Sequence, residues 1–359
     1  MTVHLSAEDA RRIALRAQLL DAQRPGDVVE VAEQLTAIKI DPTKVIAPAE
    51  HTILFSRIGW SYEPAQLRKA TEMDRLLFEF DGAFRPVSVL PMMKPQMRID
   101  KLHASTRAWV EANAAFHRDI IARLAAEGPL PAAGIPDTAA VAHRSESGWY
   151  GPNQVPRMLE VLQRAGEVAV VRREGRTKVW DLAERVYPQQ TELTEADAAS
   201  ALAERRLRAL GIARAKSRWS GVGVAGEEAT VAGSSWKFRV DPEAVTALDT
   251  DPGGRVAILN PYDGMLFDRP RLQELFGFSY VLEQFKPKAE RRYGYFAHPI
   301  LIGDRFAGLL DAEHRAADGT LVVTAVHELD AWEPEEHDMV RHEISELADW
   351  LGAEVRGLE

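Results

Sequence analysis

The sequence predicts an α+β chain of several units, and three patterns point to it. Apolar residues at helical spacing dominate the first two thirds. Within that region a helix is followed by a short hairpin with a basic tip. After Arg255 the spacing shortens into strand-like runs, and one amphipathic helix then closes the chain.

The length of 359 residues suits two to four compact units. With 46% hydrophobic and 27% charged residues the composition is that of a soluble globular protein. The absence of cysteine excludes disulfides, cysteine zinc fingers, iron–sulfur clusters and thiol catalysis. Met1 to Ala10 is polar, so no secretory signal is read there, and no apolar run reaches a membrane-spanning length. The expected compartment is the cytoplasm, with no membrane partner. The net charge of −10 argues at first against nucleic acid. Its distribution reverses that impression. Glu328 to Glu359 holds 11 acids and 2 bases, a net of −9, which leaves the rest of the chain near −1. From Glu204 to Arg218, Arg205, Arg206, Arg208, Arg214, Lys216 and Arg218 face the single acid Glu204. Such a run is either a solvated helix face or a phosphate-binding patch, and phosphates respond to local charge.

Ser6 followed by Asp9 predicts a helix start, with Ile13, Ala14, Ala17 and Leu20 on one stripe. Pro25-Gly26 ends that helix. A second helix from Asp27 carries Val28, Val31, Ala32 and Leu35 toward Ile38-Lys39-Ile40-Asp41-Pro42. His51 to Ile58 reads as apolar helix or strand, and Pro64 sits in the first turn of another helix. Met73 to Phe80 is apolar and Asp81-Gly82 breaks it. Two helices and an extended piece fit a winged-helix or helix-turn-helix unit. A single helix is expected from Pro95 to about Glu127. Gly128 to Pro136, with three prolines and two glycines, marks a boundary. Next come a helix from Asn153 to Ala165 and a hairpin, Val168–Val171 and Val179–Leu182, tipped by Arg172, Arg173, Arg176 and Lys178. This is the winged-helix pattern, in which a helix enters a groove and the wing touches the backbone. Glu195 to Leu210 with strands near Ala229 and Phe238 suggests a degenerate third copy. Val256–Leu259, Tyr280–Phe285, Gly294–Leu301, Arg305–Asp311 and Thr320–His327 read as five strands of a small barrel or sandwich, closed by a helix from Glu335 to Leu351. The expected domains are residues 1–127, 128–192, 193–250 and 251–359.

The candidate chemistry lies at Lys39 and Asp41. Alternation places both on one face of a short extended segment and Ile38 and Ile40 on the other. From the residues alone the pair is either an acid/base site or a surface ion pair.

Several blocks carry a resemblance to a known family. They are Arg11-Arg12-Ile13-Ala14-Leu15-Arg16-Ala17-Gln18, Ile40-Asp41-Pro42, His51, Leu54-Phe55-Ser56-Arg57 and Leu77-Phe78-Glu79-Phe80. Then follow Gly148-Trp149-Tyr150-Gly151 and Arg172-Arg173-Glu174-Gly175 with Val179-Trp180-Asp181-Leu182. The best-matched blocks are Asn260-Pro261-Tyr262-Asp263, Phe267-Asp268-Arg269, Leu275-Phe276-Gly277-Phe278, Arg292-Tyr293-Gly294-Tyr295-Phe296 and Gly303-Asp304-Arg305. In this order they resemble the winged-helix DNA glycosylases of the AlkZ/YcaQ type across nearly the whole chain. The resemblance implies tandem winged-helix domains followed by a small C-terminal β-barrel and a closing helix, arranged as a C-shape around duplex DNA. It implies hydrolysis of the N-glycosidic bond of alkylated or crosslinked purines in double-stranded DNA. The family's catalytic motif, glutamine–aliphatic–glutamine or glutamine–aliphatic–aspartate, aligns with Lys39-Ile40-Asp41. The aspartate is kept and the first glutamine is a lysine.

Such a site needs a carboxylate that steadies an oxocarbenium-like sugar and activates water, a role that suits Asp41. Lys39 then contacts a flanking phosphate, or attacks the sugar carbon as an amine nucleophile, or marks an inactive site. Expected DNA contacts are Lys44, His51, Arg57, Trp149, Tyr150, Arg172, Arg173, Arg176, Lys178, Arg291, Arg292 and His298. No metal-ligand spacing and no phosphate-cradling glycine loop is found, so no metal and no cofactor is expected, and the protein is expected to act as a monomer. The alternatives are a catalytically inactive winged-helix DNA-binding protein and a scaffold that uses its wings for protein contacts.

Overall fold

The computed structural model describes residues 2–143, 152–250 and 253–358. Its contacts divide the chain into two units, Met1–Leu67 with Ala203–Glu359, and Arg68–Leu202. The expected borders at 127, 192 and 250 fall inside these units rather than between them. The reason is that the N-terminal segment finds its sheet and core partners beyond residue 203.

In the first unit Thr2–Leu5 pairs in parallel with Glu227–Val231, which pairs antiparallel with Lys237–Val240, itself flanked by Ile212–Ala213. The region expected as a separate third domain is therefore completed by the chain's first strand. Helix Ala7–Ala17 begins as expected at Ser6. Its hydroxyl accepts the Asp9 amide at 3.0 Å, and the Asp9 carboxylate accepts the Ser6 amide at 3.2 Å. Ala10, Ile13 and Ala14 pack with Ile212, Val231, Phe238 and Val240, while Leu15 packs into a second cluster with Leu259, Leu272 and Leu301. One short helix thus bridges two cores. Gly211, at φ +69, lies so close to it that a Cβ there would stand 2.7 Å from the Ile13 side chain.

Helix Val28–Leu35 is capped by Asp27, whose carboxylate accepts the Val29 and Glu30 amides. Thr36 ends it in the left-handed region at φ 67 and releases the chain into strand Ile38–Lys39. Helix Ala49–Ile58 follows and packs against that strand.

The C-terminal sheet runs Val256–Ile258, His298–Ile302, Arg305–Arg315, Thr320–Glu328, Glu354–Arg356 in spatial order. Four of the five expected strands are present. Tyr280–Phe285 is not one of them. Its burial does not alternate, since Tyr280 and Glu283 are buried and Val281 and Phe285 are exposed. Glu283 accepts the amides of Arg292 and Tyr293 at 2.8 and 2.9 Å, so side-chain bonds take the place of a ladder. The fifth strand is instead Glu354–Arg356, parallel to Thr320–Glu328, reached after the closing helix Pro334–Leu351. That helix buries Val340, Ile344 and Leu347, as its spacing predicts. Leu351, expected inside, is partly exposed beside the capping Gly352.

In the second unit Leu77–Phe80 and Ala83–Pro86 form a hairpin across Asp81-Gly82, both at positive φ. The single helix expected from Pro95 is broken into shorter pieces, ending in Ala104–Ala112 and Ala114–Glu127. Buried Asn113 divides the last two. Its side chain donates to the Trp109 and Val141 carbonyls and accepts the Val141 amide, which stops the helix and fastens a distant loop. Helix Val155–Arg164 precedes the hairpin Val168–Glu174 and Thr177–Leu182, joined by Leu130–Pro131 as an edge strand. Met158, Leu159, Leu162, Val168 and Trp180 share one core there.

Candidate active site and nucleic-acid contacts

The Lys39–Asp41 segment alternates as the sequence predicts. Ile38 and Ile40 are buried, and Lys39 and Asp41 stand half-buried on the opposite face. Lys39 Nζ donates to the Ile40 carbonyl at 2.6 Å, so its long side chain folds back along its own strand. Asp41 Oδ1 accepts the Thr43 amide at 2.9 Å, an Asx turn that fixes the carboxylate at the point where Pro42 redirects the chain.

The start of helix Ala49–Ile58 is packed beside it. The Ala49 amide donates to the Asp41 carbonyl at 3.4 Å, and the Asp41 amide donates to Glu50 Oε2 at 3.3 Å. A second carboxylate is thereby tied to the backbone of the first. Glu50 was not among the sequence candidates. Its signal was its place directly after Pro48-Ala49 at a helix start, where an acid complements the helix dipole.

His51 lies one residue further and bonds through Nδ1 to the Tyr62 hydroxyl at 2.7 Å. Burial, aided by the charge of Lys44, lowers the His51 pKa to about 4, so the ring is neutral at neutral pH. Burial and the Glu50 charge push the Tyr62 phenol well above its usual range. Trp350 seals this side of the site. Its indole N–H donates to the Tyr62 carbonyl at 2.8 Å and its ring stacks on Phe55 at 4.8 Å. Tyr62 and Trp350 left no signal in the sequence, because nothing local ties Trp350 to residues almost 290 positions earlier.

The best-matched block of the resemblance supports the same helix. Asn260 donates to Thr52 Oγ at 2.8 Å. Arg57, expected at DNA, is wholly buried: it donates to both carboxylate oxygens of Asp263, to the Gln18 carbonyl at 3.1 Å and to Ser56 Oγ at 2.9 Å. Four acceptors consume its guanidinium, and it has no surface from which to meet a phosphate. His298 is likewise buried, its pKa lowered to about 3 by desolvation, and it packs on Phe296 as a neutral ring. Both are corrections to the expected contacts.

The basic hairpin is more occupied than its sequence suggests. Arg173 forms a two-point bond with Glu79 at 2.6 and 2.7 Å, and Lys178 reaches the same carboxylate at 3.1 Å. Burial works against the Glu79 charge, but the two cations outweigh it and hold the pKa below the ordinary range. Arg173 and Lys178 are thus structural counter-ions. Arg172 pairs with Glu174 at 2.7 Å, and Arg176 stands exposed at the tip. Lys44 is exposed beside the candidate site. Arg291 and Arg292 lie over the rings of Tyr295 and Tyr293 at 5.0 and 4.8 Å. Trp149 and Tyr150 lie outside the described residues. Among the described residues no cluster of histidine and carboxylates forms a metal site, and no helix is long and apolar enough to cross a membrane.

A family model described as AlkZ-like DNA glycosylase matches residues 32–350. The chain belongs to the AlkZ-like DNA glycosylase family. The match spans Lys39–Asp41, Glu50, His51 and Tyr62 and ends at Trp350, the residue that closes over Tyr62. Among solved structures, the chain is similar to the Streptomyces sahachiroi DNA glycosylase AlkZ, with a TM-score of 0.65 and 16% identity. That likeness covers 99% of this chain and 100% of the other, and supports a shared mixed α+β fold.

Proposed function

We propose that this AlkZ-like protein is a DNA repair glycosylase that hydrolyses the N-glycosidic bond of alkylated or crosslinked purines in duplex DNA, with Asp41 as the catalytic carboxylate. The observation that carries the reading is the half-buried Asp41, pinned by Thr43 and coupled to Glu50, in the segment where the family resemblance places its catalytic motif. An alkylated base already carries positive charge and leaves readily. The protein has to steady the cationic sugar and direct water to it, and a fixed carboxylate does both. Glu50 adds negative potential nearby.

Lys39 serves in this reading as a phosphate contact beside the lesion, with its ammonium swinging from the Ile40 carbonyl to a backbone oxygen of DNA. The helix–hairpin unit from Val155 to Leu182 acts as a winged helix, presenting Arg176 to the DNA backbone. The test is release of 7-methylguanine, and unhooking of a crosslinked duplex, by the wild type and by Asp41→Asn. Loss of roughly a hundredfold or more in rate is expected for the variant. Unchanged release would remove Asp41 from the mechanism.

A second reading, a DNA-binding protein without catalysis, is favoured by Lys39 itself. A cation beside the carboxylate opposes the positive charge that develops on the sugar. Duplex binding with no base release from any alkylated substrate would select it.

A further inference from the structure

The segment from Val281 to Tyr295 presents a feature that the candidate active site does not use. Phe285 is 89% exposed, although burying a phenylalanine side chain is normally favourable. It is not on a loose loop. Buried Glu283 accepts the amides of Arg292 and Tyr293 and the ammonium of Lys286 at 2.8, 2.9 and 2.7 Å. Arg291 Nε donates to the Lys286 carbonyl at 3.0 Å. On the other side of Phe285, Gln284 donates to the Tyr262 hydroxyl at 2.7 Å. Both neighbours of Phe285 are thus tied down while its ring points to solvent. The same loop carries Lys288, Arg291 and Arg292 beyond the Lys286–Glu283 pair, against one exposed acid, Glu290. The chain carries a net charge of −10, so three cations against one acid on one short loop are a local reversal of sign. Tyr295, under the Arg291 guanidinium, is a second exposed ring of the same patch.

An apolar ring held out on a braced loop and ringed by cations has the form of a wedge. The cations suit phosphates on either side, and the ring suits the gap between two stacked bases. A protein partner of matching chemistry would need an acidic rim, whereas a duplex supplies both the regular anionic rails and the flat apolar slot. The wedge stands on the framework that supports Asp41. Tyr262, which holds Gln284, follows Asn260 and Pro261, and Asn260 bonds to Thr52 on the helix that carries Glu50 and His51.

We propose that Phe285 inserts into a base step of duplex DNA, with Lys288 and Arg292 holding the flanking phosphates. The proposal rests on the DNA-directed reading above and names a contact within it. The wedge unstacks a step, which lowers the cost of exposing a damaged nucleotide to Asp41.

The experiment titrates an undamaged duplex containing 2-aminopurine, whose fluorescence rises when it is unstacked, with wild type, Phe285→Ala, Phe285→Trp and Lys288→Ala. Wild type is expected to bind with a rise in fluorescence. Phe285→Ala is expected to lose the rise and roughly tenfold in affinity, with the salt dependence of binding unchanged. Phe285→Trp restores the rise. Lys288→Ala keeps the rise and flattens the salt dependence by about one ion. Because the ring is exposed, thermal unfolding of Phe285→Ala should match wild type, which separates a wedge from a structural role. Binding by wild type with an equal fluorescence response from Phe285→Ala would overturn the wedge and leave the DNA reading standing. No duplex binding by wild type would overturn both.

Discussion

Asp263→Asn is the substitution whose cost the structure defines most closely. Asp263 is buried against Arg57, which is itself fully enclosed, and each of its carboxylate oxygens meets one arm of the guanidinium. Oδ1 also accepts the Met265 amide at 2.9 Å. An asparagine keeps one carbonyl oxygen for Met265 and one guanidinium arm. Its amide group then faces the other arm, donor against donor, and the buried cation loses the counter-charge of Asp263. Breaking a buried pair from one side costs about 3–5 kcal/mol. The remaining bonds from Arg57 to Gln18 and Ser56 soften this, so about 3 kcal/mol is expected. In a body of this size that lowers Tm by roughly 6–12 °C. Chemical denaturation followed by circular dichroism measures the loss as a shifted midpoint at constant slope. The salt dependence of DNA binding should stay the same, because Arg57 meets no phosphate. A loss below about 1 kcal/mol, or a flatter salt dependence, would refute the buried-latch account.

Three further outcomes follow from the same structure. Lys39→Gln should flatten the dependence of duplex affinity on salt by about one ion, and an unchanged slope would sink its role at phosphate. The folded-state pKa of His51, lowered to about 4 from an ordinary 6.5, means that the unfolded chain binds the extra proton between those values. Stability should therefore be complete above about pH 6.5 and fall as pH drops toward 4, and His51→Phe should weaken that fall in acid unfolding curves. Gly211→Ala should cost about 2–3 kcal/mol, through positive φ and a Cβ 2.7 Å from Ile13, and thermal unfolding close to wild type would contradict the packing described there.

What the sequence disclosed was mostly local. The Ser6 cap, the Asp81-Gly82 turn, the helix–hairpin order after Val155 and the two faces of Ile38–Asp41 all follow from residues a few positions apart. What stayed hidden depended on distant partners. Arg57 looked like a basic surface residue because Asp263 lies 206 positions away. Tyr280–Phe285 reads as a strand from its apolar run, but that run does not show that a buried glutamate within it serves two distant amides in place of a ladder. Glu50 was passed over because its significance is a bond to the Asp41 backbone rather than a motif. The two-unit division was hidden for the same reason, since composition marks loops and not the strand with which Thr2–Leu5 pairs.

That first strand has a consequence for how the protein is made. Its parallel partner begins at Glu227, so the opening segment emerges from the ribosome long before the edge it will occupy. At roughly 5–20 residues per second the delay is about 10–45 seconds. During it the whole of Arg68–Leu202 is synthesised and has every sequence element of its own cores. Leu5 and Ile13 wait for core partners that begin at Ile212. Synthesis order thus leaves the surroundings of Lys39 and Asp41 incomplete until Asn260 and Trp350 have been made.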